Sequence, residues 1–410
     1  MLESASIVLW ALPYFGVLLG LELLADSRNG WRYYKSLRDT LSNLYIGIGE
    51  VLLSLVIKTA MIGVYDLVSR RFSLFSIPDN FWTAMVFFIL FDFIYYWAHR
   101  LGHEVNFMWA GHVPHHSSEA FNLTVALRQP WFQVLTTWFL FIPLAILGFS
   151  TQMLIVVSAL DILYQYWIHT SYIKKLPAWV EFIFNTPSHH RVHHGRQPKY
   201  LDKNHGGVLI IWDRLFGTFQ AEEETPEYGI THPLRSWNPL YANIHHFGEI
   251  LHFMTSENNW KSKIMTLWMS PAKFSDFSFK IREPSKISIK KDPTLNLTEK
   301  MFFFWQFGHF LGQALFLLAI ASKTPVSFWS ALLIFLLWHI LSMGFWWDGK
   351  HQAYSSESIR LMCVTIFSII LLSHVWTLPP ICYSFGYYLI FYSVLTFLII
   401  HHKAILANEA

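Results

Sequence analysis

The sequence predicts an all-α polytopic membrane protein: a helical transmembrane bundle with a cytosol-facing helical cap that holds a histidine-rich dinuclear metal site. Three observations predict it. Of 410 residues, 53% are hydrophobic and only 14% charged, a balance too apolar for an ordinary soluble enzyme. The apolar residues gather in runs long enough to cross a hydrocarbon core of about 30 Å. Eleven of the 21 histidines fall between His99 and His205, at spacings that put imidazoles on shared helical faces. The formal net charge of +3 is too small to argue for nucleic acid. Cys363 and Cys382 both lie in the apolar C-terminal third, so neither a disulfide framework nor a thiolate site is expected.

In chain order, nine candidate spans are expected: Ser6 to Ala25, Leu44 to Leu67, Trp82 to Ala98, Trp131 to Phe149, Gln152 to Ile168, Met301 to Ala321, Val326 to Phe345, Leu361 to Trp376, and Phe385 to Ile400. The first has no basic residue before it and no small-residue cleavage site after it, so it is expected to stay as a span. Glu50 and Lys58 fall inside the second. Arg28, Arg32, Lys35 and Arg38 place the first connection in the cytoplasm by the positive-inside rule, and Lys174, Lys175, Lys350, Arg360 and Lys403 agree while Arg70 and Arg71 dissent. Every histidine cluster then faces the cytoplasm, from a bacterial inner membrane or the endoplasmic reticulum. Three regions result: N-terminal transmembrane helices over 1–80, a catalytic region with its cap over 81–300, and a C-terminal four-helix transmembrane region over 301–410.

The cap is expected from about Thr170 to Lys300. Pro177 and Pro187 bracket WVEFIFN, which reads as a short interfacial helix. GGVLIIWDRLFGTF then gives an apolar run entered through glycines, and Asp213 and Arg214 cut it short of a span. The interval from Glu222 to Lys300 shows no chemistry.

The histidines carry the chemistry. His99 and His103 lie four apart on one helical face, and His112, His115 and His116 share a face at offsets of three and four, a pattern that His190, His193 and His194 repeat. Eight imidazoles exceed what one tetrahedral or octahedral ion takes, which points to two metals. His169, at the end of the fifth span, is delivered to the same depth as His99. Imidazole suits iron and zinc alike. Context favours iron, because the acidic general base of a hydrolytic H-E-x-x-H zinc site is absent. Glu104, Asp92 and Asp161 are candidate acids, since ionisable groups in a membrane are expensive and ligating imidazoles often donate to carboxylates. Asp92 and Asp161 lie two helical turns, roughly 10 Å, from His99 and His169, so each would serve another ligand or cap a polar pocket. His309, His339, His374, His401 and His402 read as packing or interfacial residues. His232, His245, His246 and His252 are left out of the site.

The order H-x-x-x-H, H-x-x-H-H, a lone span-end histidine, then H-H-x-x-H-H resembles the fatty acid hydroxylase and sterol desaturase superfamily of membrane di-iron oxygenases. Within it, HRLGHEVNFMWAGHVPHHSSEAFNLTVALRQP and TPSHHRVHHGRQPKYLDKNHGGVLIIWDRLFGTF are similar to the ether-lipid-cleaving branch. The resemblance implies two iron ions that activate O2 and hydroxylate a lipid C–H bond, here the carbon beside an ether oxygen, with tetrahydrobiopterin or a redox protein as electron donor. The ligands it implies are His99, His103, His112, His115, His116, His169, His190, His193 and His194, and His189 also matches. One departure is Asn204-His205-Gly206, where the family commonly reads N-Y-G. Competing expectations are a sterol, carotenoid or fatty acyl hydroxylase or desaturase of the same superfamily, a non-enzymatic membrane metal carrier or sensor, and a b-type haem protein.

Overall fold

The computed structural model describes residues 2–275, 292–373 and 378–408. His374 and the end of the eighth expected span, together with 276–291 of the expected cap, lie outside the described residues, as do the side chains of His402 and Lys403. The chain forms two compact units, Met1–Arg235 with Tyr241–Lys291, and Ser236–Leu240 with Asp292–Ala410. Among the described residues the elements are helical, with two isolated β-bridges, Phe184 to Leu209 and Gly195 to Tyr228. Five helices are long and apolar enough to cross a membrane: Phe81–Glu104, Leu297–Ile320, Val326–Trp347, Gln352–Leu372 and Pro380–His401. The chain is an integral membrane protein.

In the first unit, helix α1 (Leu2–Arg28) turns into α2 (Leu37–Ser54) around the buried Asp26. The Asp26 carboxylate accepts the Tyr33 and Tyr34 amides and the Tyr172 hydroxyl. Helix α3 (Ile57–Phe72) leaves α2 at a 43° bend, and the pair together is long enough for one span. Glu50 and Lys58 meet across that bend at 2.6 Å, so the charges inside the second expected span pair with each other. Helix α4 (Phe81–Glu104) starts on an Asn80–Thr83 capping box and runs straight to His99 and His103. Helix α5 (Asn106–His116) follows after one extended residue, Val105.

The fourth expected span does not form one helix. After the single turn α6 (Leu123–Ala126), it breaks into α7 (Gln133–Thr137), a 3-10 turn (Trp138–Phe141) and α8 (Ile142–Leu147). Thr136 and Thr137 both turn their hydroxyls back on the Gln133 carbonyl, a bond that competes with a straight helix. Gly148 closes α8 at φ 104, where an added Cβ would lie 2.0 Å from the Phe75 carbonyl oxygen. Helix α9 (Thr151–Trp167) then returns. Its 17 residues reach about 25 Å, short of a full crossing. These pieces pack on α3 and α4 through Tyr65, Phe87, Phe91, Leu144 and Phe149. A hairpin and a pair of full crossings both return the chain to its starting face, so the segments after α4 and after α9 keep their common side.

The cap has the expected interfacial helix, α10 (Ala178–Ile183), with Trp179 and Phe182 exposed. Helix α11 (Pro187–His193) follows, with proline in its first turn. The apolar run after it becomes a six-residue helix, α12 (Ile211–Phe216), whose Asp213 is wholly buried. Beyond it, α13 (Pro239–Ser256) and α14 (Trp260–Trp268) brace α5: Asn106 donates to the Thr266 carbonyl and pairs with His246. His246, left out of the site on sequence, is buried against Asn106.

The second unit is a bundle of the four C-terminal apolar helices. At its centre Arg360 and Glu357 pair at 2.6 Å with neither side chain exposed, and Gln306 and Tyr392 add hydrogen bonds while Arg360 Nη1 makes none. Removing one partner of such a pair would leave an uncompensated buried charge.

Gly207 lies where three side chains converge, an added Cβ meeting Tyr95 at 2.8 Å, Asp161 at 3.0 Å and Asp92 at 3.1 Å. Gly207→Ala should therefore destabilise the first unit by about 1–3 kcal/mol, read as a lowered melting temperature in detergent, whereas Gly63→Ala, with open space around it, should not.

Candidate metal centre

Four elements converge on one buried volume. The last turns of α4 supply His99 and His103, the last turns of α5 supply His112, His115 and His116, His169 follows the α9 C-cap Ile168, and α11 with its C-cap supplies His190, His193 and His194. All nine are buried. They sort into two groups: His99, His103, His112, His116 and His193, and His115, His169, His190 and His194. Within each group one ring nitrogen per residue lies within 4.8 Å of every other. The sorting follows helical geometry. His112 and His116, four apart, face one group while His115 is turned to the other; His190 and His194 likewise stay together while His193 crosses over.

The second layer fixes the ring tautomers. His99 Nδ1 donates to the His205 carbonyl at 2.9 Å, His115 Nδ1 to Arg128 at 3.2 Å, His169 Nδ1 to Gln165 at 2.7 Å, and His193 Nδ1 to Lys203 at 2.9 Å. A carbonyl only accepts, so in these four neutral rings Nδ1 holds the proton and Nε2 presents a bare lone pair. Yet His115 Nε2 and His169 Nε2 face each other at 3.2 Å, and His193 Nε2 is buried with no partner at all. Burial, reinforced by repulsion from neighbouring imidazoles, holds His112, His115, His116, His190, His193 and His194 well below the ordinary histidine value, and His169 is pushed down to about 4. Protonation thus does not relieve the clash. Converging lone pairs of neutral imidazoles are a donor set that could hold a metal ion.

His189, the tenth candidate, stands apart from both groups, its Nε2 3.5 Å from Glu181. Glu104 does too. One residue past His103, it is rotated about 100° round the helix and pairs with Arg100 at 2.8 Å on the half-exposed face. Asp92 and Asp161 touch no histidine either. Asp92 accepts the Val208 and Leu209 amides and the Trp212 indole, and so holds the loop that follows the cluster. Asp161 accepts from Gln165, whose carbonyl in turn receives His169, so this acid reaches a candidate ligand through one intermediary.

Several residues that shape the cage carry no motif. Arg128 is fully buried, donating to the Pro114 carbonyl and to Asn43, Ser42 and Ser117, which pins the end of α5. Arg191 forks onto Glu222 at 2.7 Å and also donates to the Thr170 and Ile173 carbonyls, tying α11 to the irregular segment after His169. Asp213 accepts the His205 and Gly206 amides at 2.7 Å each. A lone arginine or aspartate in an apolar run is the one sequence signal that marks such residues.

The fatty acid hydroxylase family model matches residues 84–218, the stretch that contains every member of the two histidine groups. Alkylglycerol monooxygenase from Homo sapiens is 40% identical over 300 residues, covering 73% of this chain and 64% of that protein. The Xenopus tropicalis alkylglycerol monooxygenase is 34% identical over 369 residues, covering 86% of this chain and 80% of that protein. The Danio rerio protein of the same name is 37% identical over 270 residues, covering 66% and 60% respectively. The chain thus spans less than two thirds of the Homo sapiens and Danio rerio relatives. No solved structure matches.

The two groups make separable predictions. His193→Ala should lower bound metal by about one ion per chain, whereas His189→Ala and Glu104→Gln should leave the count unchanged, as measured by elemental analysis of protein purified in detergent.

Proposed function

The chain belongs to the fatty acid hydroxylase family, grouping there with the alkylglycerol monooxygenases, and we propose that it is a membrane lipid monooxygenase acting on the ether-adjacent carbon of alkylglycerols. The observation that carries this reading is the pair of all-imidazole groups, five and four nitrogens, inside the family-matched segment. Two iron ions bound there would activate O2, with tetrahydrobiopterin as electron donor. In balance, one C–H bond becomes C–OH, the second oxygen atom leaves as water, and the donor gives two electrons and two protons. The hemiacetal then collapses to a fatty aldehyde and a free glycerol hydroxyl.

The chain's own part is to bind, orient and exclude water. His99, His103, His112, His116 and His193 would hold one ion, and His115, His169, His190 and His194 the other. Burial of all nine keeps bulk water from the centre. Asp161, acting through Gln165, and Asp92, acting through the 208–212 backbone, set ligand and loop positions rather than touching the reacting atoms. The cytoplasmic face is assigned from the basic residues between α1 and α2, and residues 81–300 are assigned as the catalytic region. Enclosure also speaks against a metal carrier, which must release its ion: no member of either group is more than 7% exposed.

Purified protein incubated with an alkylglycerol under O2 should release fatty aldehyde when tetrahydrobiopterin is added, and His193→Ala should lower the rate at least 100-fold. Absence of aldehyde with either tetrahydropterin or a protein electron donor would sink the ether-lipid reading. Hydroxylation of a sterol or acyl chain instead would move the protein to another branch of the family.

A further inference from the structure

We propose that His205 is a sixth imidazole donor of the five-histidine group, closing that site and leaving the four-histidine group as the one open to an outside ligand. The proposal rests on the functional reading above insofar as both groups hold metal.

His205 is completely buried, and the contact its ring makes within the chain is a loose one to the Asp202 backbone. A buried imidazole with a ring nitrogen left unsatisfied is costly unless something outside the protein chain satisfies it. Its surroundings say what. The ring stands 5.0 Å from that of His103, 5.6 Å from His99 and 5.7 Å from His193. Neighbouring rings inside the group stand 4.4 Å apart for His99 and His193, and 5.3 Å for His99 and His103. His205 thus borders the group at ring separations close to those inside it, but outside the set of nitrogens that already lie near one another, so it joins by rotating its side chain toward a bound ion.

The backbone presents the ring on purpose-built supports. Asn204 sits at φ 58 with its side chain bound to the His189 and Gln220 carbonyls, the His205 amide donates to buried Asp213, and the His205 carbonyl receives His99 Nδ1. The residue that orients one member of the group thus also carries the additional imidazole. Six nitrogens would saturate an ion held by the first group, whereas four would leave an ion in the second with room for an outside ligand. The reactive position of a metal enzyme is the vacant one, so the two ions have unequal roles: the group with His115, His169, His190 and His194 is where an exogenous ligand enters.

Azide is the probe, titrated into iron-loaded protein and followed by absorbance. The wild type should take up azide at the four-histidine site only, with a stoichiometry of about one per chain. His205→Ala should raise the stoichiometry to about two and weaken retention of the ion in the first group by 10- to 100-fold against a chelator. Equal azide binding at both irons in the wild type overturns the proposal, as does a His205→Ala protein with unchanged stoichiometry and metal retention. If the alanine variant does not fold, the wild-type titration alone decides. Protein that retains no metal would overturn the oxygenase reading itself, and two retained irons with two azides would overturn only the closed-site assignment.

Discussion

The constraint on which the rest of the structure depends is electrostatic: several neutral imidazoles have their lone pairs aimed at each other inside protein. Two Nε2 atoms about 3 Å apart, each on a ring whose proton is committed to a carbonyl at Nδ1, repel unless a cation lies between them. His115 and His169 are in that position. In water such rings would protonate or turn away. Here burial resists protonation, and the carbonyl bonds resist turning.

The supports around the centre follow from that constraint. A repulsive cluster has to be held from outside by groups that do not compete for the lone pairs. Backbone carbonyls meet the requirement, and they come from segments whose own positions are secured by buried charges: Arg128 bonded to the end of α5, Arg191 on α11, and Asp213 in α12 bonded to the His205 amide. Each charge is matched by several hydrogen bonds, the condition under which a buried ion is stable. The helices that bring these segments together need only be stiff and correctly ended. The Asn80 capping box starts α4, and proline starts α11.

The pattern of histidines was legible because ligand spacing is local. An i, i+4 pair shares a face wherever a helix forms, so His99 with His103 and His112 with His116 are readable from the chain alone, and His169 is readable from its place at the end of the fifth expected span. What the spacing could not supply is which imidazole goes with which. His193 joins His99 rather than its neighbours His190 and His194, because the direction in which α11 approaches α4 is a tertiary fact. The fourth span misled for a similar reason. Hydropathy over Trp131 to Phe149 reports that a segment avoids water, and a chain of short turns packed on α3 and α4 avoids it as well as one straight helix does. Adjacency misled over Glu104, because neighbours in sequence on a helix point about 100° apart. For Asp92 and Asp161 the two-turn separation did exclude contact with His99 and His169, and the structure gives both acids other partners.

The placing of those acids bears on the chemistry. Carboxylates stand one layer outside the imidazoles: Asp161 behind Gln165 and His169, Asp213 behind His205, Asp202 3.6 Å from His103. A carboxylate among the ligands themselves would cancel ion charge at short range. Set back behind a hydrogen bond, it makes the ligating ring a better donor and orients it while leaving most of the ion's positive charge in place. A metal ion held there would keep its affinity for anionic ligands. Asp92 holds the loop after His205 through the Val208 and Leu209 amides, while Asp161 reaches His169 through Gln165. Both side chains close on Gly207, which is why a single methyl group there is expected to disturb the loop and the path to His169 together.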